Sequence, residues 1–344
     1  MLERLLRDRL RKFMSLLLKV LAEDADDAVH DLRVWSRRLQ QVVAALSSKP
    51  LPPQAQTMVR ALRRARQSLG EWRDCDVLLD MLERRARRVR NPEEKSAWMM
   101  IRRLALNKRE REIRHARRKL ANRKLFTLAH RAQKFLDQLP EGERQDAGEV
   151  LASSVADGHA QWRQALSRAC NGWDPANIHA FRIRTKQLRY RIELARDLGE
   201  SDVQAALGYL KSLQDGLGCW HDHTELFRLT TEGLADPGFL LNHARLVAAL
   251  LRKSDREQAV QGERIRRLLT SANESIGGSA LDEWVARYCR ETPPKPPGES
   301  ESCSNELAAF KEAGCATVLG GAQVQTLPAS PIEDFIKVMS ELPS

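Results

Sequence analysis

The chain has no CxxC pair and no framework spacing among its six cysteines, which stand at 75, 170, 219, 289, 303 and 315. Neither a disulfide scaffold nor a zinc module is expected, and the cysteines are read as reduced thiols. Aromatic residues make up only 5% of the sequence, which argues against a protein that holds single strands by stacking their bases. No P-loop, HExxH, GxSxG or paired-carboxylate pattern occurs, so the common nucleotide, protease and hydrolase chemistries have no anchor. No stretch alternates like a strand for long enough to form a sheet. Near the N-terminus the longest apolar run, Leu16 to Leu18, is broken by Lys19, and Glu3 and Asp8 interrupt what would be a basic leader. Neither a signal peptide nor a membrane span is expected, and a cytoplasmic location follows.

What the chain does have is helical spacing and positive charge. Its 344 residues are 42% hydrophobic, enough to bury a core in one large or two ordinary domains. The net charge is +11 and the pI about 9.6. Residues 60 to 124 alone carry 22 Lys/Arg against 9 Asp/Glu, a surplus larger than that of the whole chain. A polyanionic partner suits this balance, although charge alone does not choose among nucleic acid, anionic membrane and polyphosphate.

One stretch stands out. At 100° per residue, His30, Arg33 and Arg37 share a narrow arc of a helix, with Leu32, Trp35, Leu39, Val42 and Leu46 on the other side. The pattern returns at His179, Arg182, Lys186 and Arg189, opposite Phe181, Leu188 and Ile192. A second pair of segments keeps the same order: Leu69-Gly70-Glu71-Trp72-Arg73-Asp74 matches Leu217-Gly218-Cys219-Trp220-His221-Asp222. The offsets are 149 and 148 residues, so the chain reads as two copies of a whole helical bundle.

In order, the spacing predicts helices over 1 to 22, from His30 to about Ser47, and from Gln54 to Leu69, the last closed by Gly70. Asp24 to Asp27 supply a cap for the His30 helix. Asp74 or Asp76 then starts a helix from Val77 to Val89, and Asn91-Pro92-Glu93-Glu94 opens another. From Lys95 to about Leu139 the pattern is helical and heavily charged; Arg114-His115-Ala116-Arg117-Arg118-Lys119 is basic nearly all round, either a solvated face or a rim to an anion site. After a polar turn at Glu141 to Asp146, a helix runs through Val150, Val155, Trp162 and Leu166. Asp174 and Pro175 restart the chain into the His179 helix. Tyr209 to Leu217 mirrors the third helix, closed by Gly218, and further segments cover about 222 to 233, 238 to 252, 256 to 270 and Trp284 to Tyr288. The run Thr292-Pro293-Pro294-Lys295-Pro296-Pro297 is a linker by composition. It sets a packed domain of 1 to 290 (first bundle about 1 to 140, second about 141 to 290), a linker over 291 to 304 and a tail over 305 to 344, whose helix-compatible pieces lie at 307 to 313 and 332 to 339.

Each basic stripe offers its donors along roughly 10 to 15 Å of helix, from a rise of about 1.5 Å per residue. A linear polyanion could meet several phosphates over that length. Arginine donates two hydrogen bonds from a planar fork, lysine is a point charge, and histidine is charged only when protonated. Asp31 has no counterpart, since Ala180 takes its place, so a catalytic acid there is not kept in both copies. Trp72-Arg73-Asp74 and Trp220-His221-Asp222 invite a catalytic dyad, but the simpler reading makes each Asp a helix cap and each Trp core. Cys219, His221, His223 and Glu225 resemble metal ligands in sequence. On a helix only Cys219 and His223 share a face, so no metal and no cofactor are expected.

These motifs together resemble the CHAD family: His-x-Leu-Arg-Val-x-x-Arg-Arg-Leu at His30 to Leu39, Leu-Gly-x-x-Arg-Asp-x-Asp-Val at Leu69 to Val77, and His-x-x-Arg-x-x-x-Lys-x-x-Arg-Tyr at His179 to Tyr190. The resemblance covers about residues 1 to 290. It implies an all-α fold of two pseudo-twofold-related four-helix bundles around a central basic cavity that binds inorganic polyphosphate. The binding role would fall to His30, Arg33, Arg37, His179, Arg182, Lys186 and Arg189, joined by Arg38, Arg63, Arg66 and Lys211. Gln40 and Gln187 depart from the repeat, where Arg189 and Arg38 are their counterparts. Relatives are sometimes fused to a hydrolase with an ExExK signature, which is absent from this sequence. The expectation is therefore a non-catalytic polyphosphate-binding module in the cytoplasm, associated with polyphosphate granules. An RNA- or DNA-binding helical protein using the 60 to 124 region, and an enzyme acting on phosphorylated substrates, are the alternatives.

Overall fold

The computed structural model describes residues 1–22, 26–47, 51–121, 125–139, 147–274 and 280–292. The fold is all-α: every regular element among these residues is a helix. In chain order they are α1 (Leu2–Ala22), α2 (Asp26–Ala45), α3 (Pro53–Ser68), α4 (Gly70–Arg88), α5 (Pro92–Ala121), a 3-10 turn (Leu125–Thr127), α6 (Leu128–Asp137), α7 (Ala147–Cys170), α8 (Pro175–Asp197), α9 (Gln204–Leu234), α10 (Pro237–Glu274) and α11 (Ala280–Glu291). One compact unit spans Met1–Pro294. The anticipated cap at 24 and 25, the turn at 141 to 146, most of the linker and the tail lie outside the described residues.

Side-chain caps explain three of the helix starts, at Asn91, Asp174 and Asp236. Asn91 accepts a hydrogen bond from the Glu94 N–H at 3.0 Å, with Pro92 in the first turn of α5. Asp174 does the same for α8, accepting from the Ala176 N–H at 3.1 Å ahead of Pro175. Glycine was the misleading signal. Gly70 does not end α3; the corner falls at Leu69 (φ −95°, ψ 0°) and Gly70 opens α4. Gly218 ends nothing, because α9 runs through it for 31 residues. Helical glycine costs about 1 kcal/mol relative to alanine, and here neighbouring contacts offset that. At Gly216 a Cβ would sit 2.6 Å from Leu268 Cδ2 on α10, so glycine lets the two long helices pack closely without moving that leucine. As a consequence, Asp74 and Asp222 stand inside helices and cap nothing. The segments anticipated at 238 to 252 and 256 to 270 are likewise one helix, α10, with a kink at His243 (φ −137°, ψ 33°).

The apolar stripes meet in one continuous core running from Leu6, Phe13, Leu32 and Leu39 through Met58 and Trp72 to Trp162, Phe181, Leu188 and Leu210. Each such fully buried side chain contributes roughly 1.5–3 kcal/mol. Helix α1 packs on α2 and α2 on α3, while α3 rests on α5 and α6 and α4 on α5. Further along, α7 packs on α8, α8 on α9 and α9 on α10, and α10 and α11 return to α7. Crossing contacts join the two motif helices, α2 on α8, and set α9 against α4 and α5. The two helices carrying the duplicated basic stripes thus lie side by side. Cys75, Cys170, Cys219 and Cys289 are free thiols, and no described helix is long and apolar enough to cross a membrane.

Candidate functional site

Where α2 meets α8 the two stripes come together. The Arg33 guanidinium lies over the corner between α3 and α4: its Nη1 donates to the Arg66 carbonyl at 3.2 Å, and a Cβ added to Gly70 would come within 3.5 Å of it. Arg37 lies close enough to Tyr190 on α8 for the two to act on each other's charge, and its Nη1 donates to the Arg33 carbonyl at 3.5 Å. Arg66 joins from α3, donating to Gln40 Oε1 at 3.2 Å. From α8, Arg182 enters with its Nε buried and without a hydrogen-bond partner among the described residues. Lys186, one turn on, is surrounded by Arg182, Arg37 and Arg33, with Asp222 as its facing carboxylate.

The electrostatics follow from burial first and from like charges second. Burial, reinforced by Arg37, brings Arg33 down to about 10; burial with Arg37, Arg33 and Arg63 brings Arg66 to about 9. Arg37 and Arg182 are lowered in the same way. These guanidinium groups stay charged at neutral pH, so the shifts express desolvation and repulsion that an incoming anion would relieve. Lys186 is affected most in practice, because burial and three arginines bring its ammonium to about 7. His30 falls below its ordinary value through burial and then Arg73; His179 falls through burial and then His221, Arg182 and Lys186.

The structure divides the anticipated residues. His30, Arg33, Arg37, Arg63, Arg66, His179, Arg182 and Lys186 act on one another's charges as a single cluster. Arg189 borders it but donates from Nε to Glu193 at 3.0 Å, and Arg38 donates to the other oxygen of the same carboxylate at 3.2 Å while lying 5.1 Å over the Trp35 ring. Glu193 is only 7% exposed. Arg9, 2% exposed, extends this network by donating to the Arg38 carbonyl at 2.7 Å and pairing with Asp197. Arg9 and Arg38 therefore clamp α1, α2 and α8 together, while Arg189 reaches the same Glu193 carboxylate from within α8. Lys211 is exposed on α9, and no hydrogen bond or ion pair ties it to the cluster among the described residues. Gln187 accepts from Arg184 at 3.0 Å instead of entering the site.

Sequence reasoning missed several groups. Tyr190, on the last position of the quoted motif, lies beside Arg37 and favours its charge. Arg73, Asp74, His221 and Asp222, all from the second duplicated motif, face the N-terminal ends of both stripes. The signal was present in their spacing, but the glycine reading turned the aspartates into caps. His221 lies 5.8 Å from His179 between ring centroids, whereas Cys219 turns to His223 at 3.6 Å. Among the described residues no three His, Cys, Asp or Glu side chains converge as metal ligands. In the basic run on α5, Arg114, His115, Arg118 and Lys119 are exposed, but Arg117 turns inward to the Val20 carbonyl at 3.1 Å and lies over the Trp72 ring.

Comparison with known proteins places this arrangement. The family model described as CHAD domain matches residues 4–229. Among solved structures, the CHAD domain from the plant Ricinus communis is similar, with 21% identity over 77% of this chain and 89% of that one and a TM-score of 0.56. At that identity the likeness speaks for the fold. No curated protein matches the chain.

Proposed function

Because the chain belongs to the CHAD family, we propose that it binds inorganic polyphosphate, without catalysis, through the cluster between α2 and α8. The observation that carries this reading is a cluster in which cations outnumber the carboxylates facing them: Arg33, Arg37, Arg66, Arg182 and Lys186 are half-buried together, the buried Nε of Arg182 has no hydrogen-bond partner among the described residues, and burial with three arginines brings Lys186 to about 7. Buried charge is retained only where something compensates it. A chain of phosphates supplies one negative charge per repeat along the stripe and needs no stacking ring. Consistently, Trp72, Trp162 and Tyr190 are buried and offer no face to a base. We extend the proposal to a cytoplasmic protein associated with polyphosphate granules.

Competition at fixed salt tests it. Polyphosphate should displace RNA and DNA carrying equal charge, and its affinity should fall steeply with added salt as each neutralised phosphate releases counterions. RNA that binds equally well at the same ionic strength would favour a nucleic-acid role for the exposed cations of α5. A flat salt response would point to a small neutral ligand.

A further inference from the structure

The second duplicated motif brings one carboxylate from each copy to the same end of the cation cluster. Asp74 on α4 acts on Arg33 and Arg182, and Asp222 on α9 acts on Arg182 and Lys186. Asp74 lies one helical turn after Gly70, over which the Arg33 guanidinium rests, and so shares its face. His221 sits beside Asp222, with its Nδ1 3.4 Å from Oδ1, and its ring faces His179. Helices α4 and α9 pack against each other here. The far end of the cluster, at Arg37 and Arg66, is arginine with Tyr190 and Gln40. The site therefore changes character along its length: arginine at one end, and at the other carboxylates (Asp74, Asp222 and Glu225) and imidazoles beside Arg73.

Internal and terminal phosphates differ in what they offer such an end. An internal phosphate carries one fully ionised oxygen and only accepts hydrogen bonds, so a carboxylate beside it is repulsive. A terminal phosphate has a second ionisation, at about 6 for a phosphomonoester, and its remaining O–H can donate to a carboxylate. Counter-charge alone would not require the acids to gather at one end, where α4 and α9 pack together. We propose that Asp74 and Asp222, with His179 and His221 beside them, recognise the terminal phosphate of a linear polyphosphate, making this a chain-end site and not a track for internal phosphates. This rests on the polyphosphate reading and adds the feature of the polymer that is read.

The test uses the full chain with long linear polyphosphate and the same polymer whose two termini are converted to methyl esters, which leave no terminal O–H to donate. Capping should weaken binding about tenfold, the size of one lost charge-assisted hydrogen bond. For the uncapped polymer, saturation should stay at two protein molecules per chain however long the chain is. Asp222→Asn, at a partly exposed position that does not threaten the fold, should bind capped and uncapped polymer alike. Equal parental affinity for the two polymers, saturation that grows with chain length, or an Asp222→Asn variant that keeps the preference would each overturn the inference while leaving polyphosphate binding intact. Binding of neither polymer would overturn the polyphosphate reading and this inference with it.

Discussion

Replacing Arg33, Arg37, Arg182 and Lys186 together by glutamine should lower polyphosphate affinity at least about a thousandfold while leaving the helical content unchanged. Hydrogen bonds to a charged group contribute about 1.5–3 kcal/mol each, and every 1.4 kcal/mol is tenfold in affinity, so four lost donors exceed that factor even if they are far from additive. The fold should survive because the four project from the side opposite Leu32, Leu39, Phe181 and Leu188, which carry the core contacts. Two structural hydrogen bonds go with them, Arg33 to the Arg66 carbonyl and Arg37 to the Arg33 carbonyl. Against that loss of about 1 kcal/mol each, four half-buried like charges disappear. The midpoint of thermal unfolding of the free protein should therefore hold or rise. Circular dichroism and a binding isotherm on the same preparation check both parts; a collapse of helicity would show that these residues are structural first.

Raising the pH through about 7 should weaken polyphosphate binding, and Lys186→Arg should lessen that dependence. In the empty site burial and the arginines 182, 37 and 33 hold the Lys186 ammonium at about 7, with Asp222 the one facing carboxylate that opposes them. A bound phosphate favours the charged form, so binding takes up a proton, and above about pH 7 the affinity falls by up to about tenfold per pH unit. The stability of the free protein moves the other way. An unfolded lysine keeps its proton until about 10.5, whereas the folded one releases it near 7, so between these values the unfolded state holds more protons and stability rises with pH. His30 and His179 are lowered below their ordinary value and add a further rise in affinity only on the acid side of that window. Affinity measured from about pH 6.5 to 9 for the parent and for Lys186→Arg separates the groups: identical slopes would exclude Lys186.

The helix spacing made much of this legible before any coordinates. His30, Arg33 and Arg37 recur at three and four residues against an apolar stripe, and that periodicity holds wherever the helix packs on one face. It could not show which cations face the site, because Arg38 and Arg189 are claimed by Glu193, 155 residues from the first of them. Nor could it show that Asp74 and Asp222 belong to the site. That followed from the glycines, where contacts between long helices outweigh the local preference for a break. The repeat is also less symmetric than its sequence. Arg33 rests on Gly70, whereas Gly218, its counterpart, has open space where a side chain would be, and Arg182 is left with an unsatisfied donor. Local spacing carries no information about such differences, since they arise from how the two copies settle against each other.

A double-mutant cycle on polyphosphate affinity with Arg33→Gln and Arg182→Gln decides whether the two stripes form one site, because one residue comes from each copy. If both grip the same anion, the combined loss should depart from the sum of the single losses by at least about 1 kcal/mol, as for residues sharing a partner. Losses that add within about 0.5 kcal/mol would mean that the copies bind independently, and the account would be wrong.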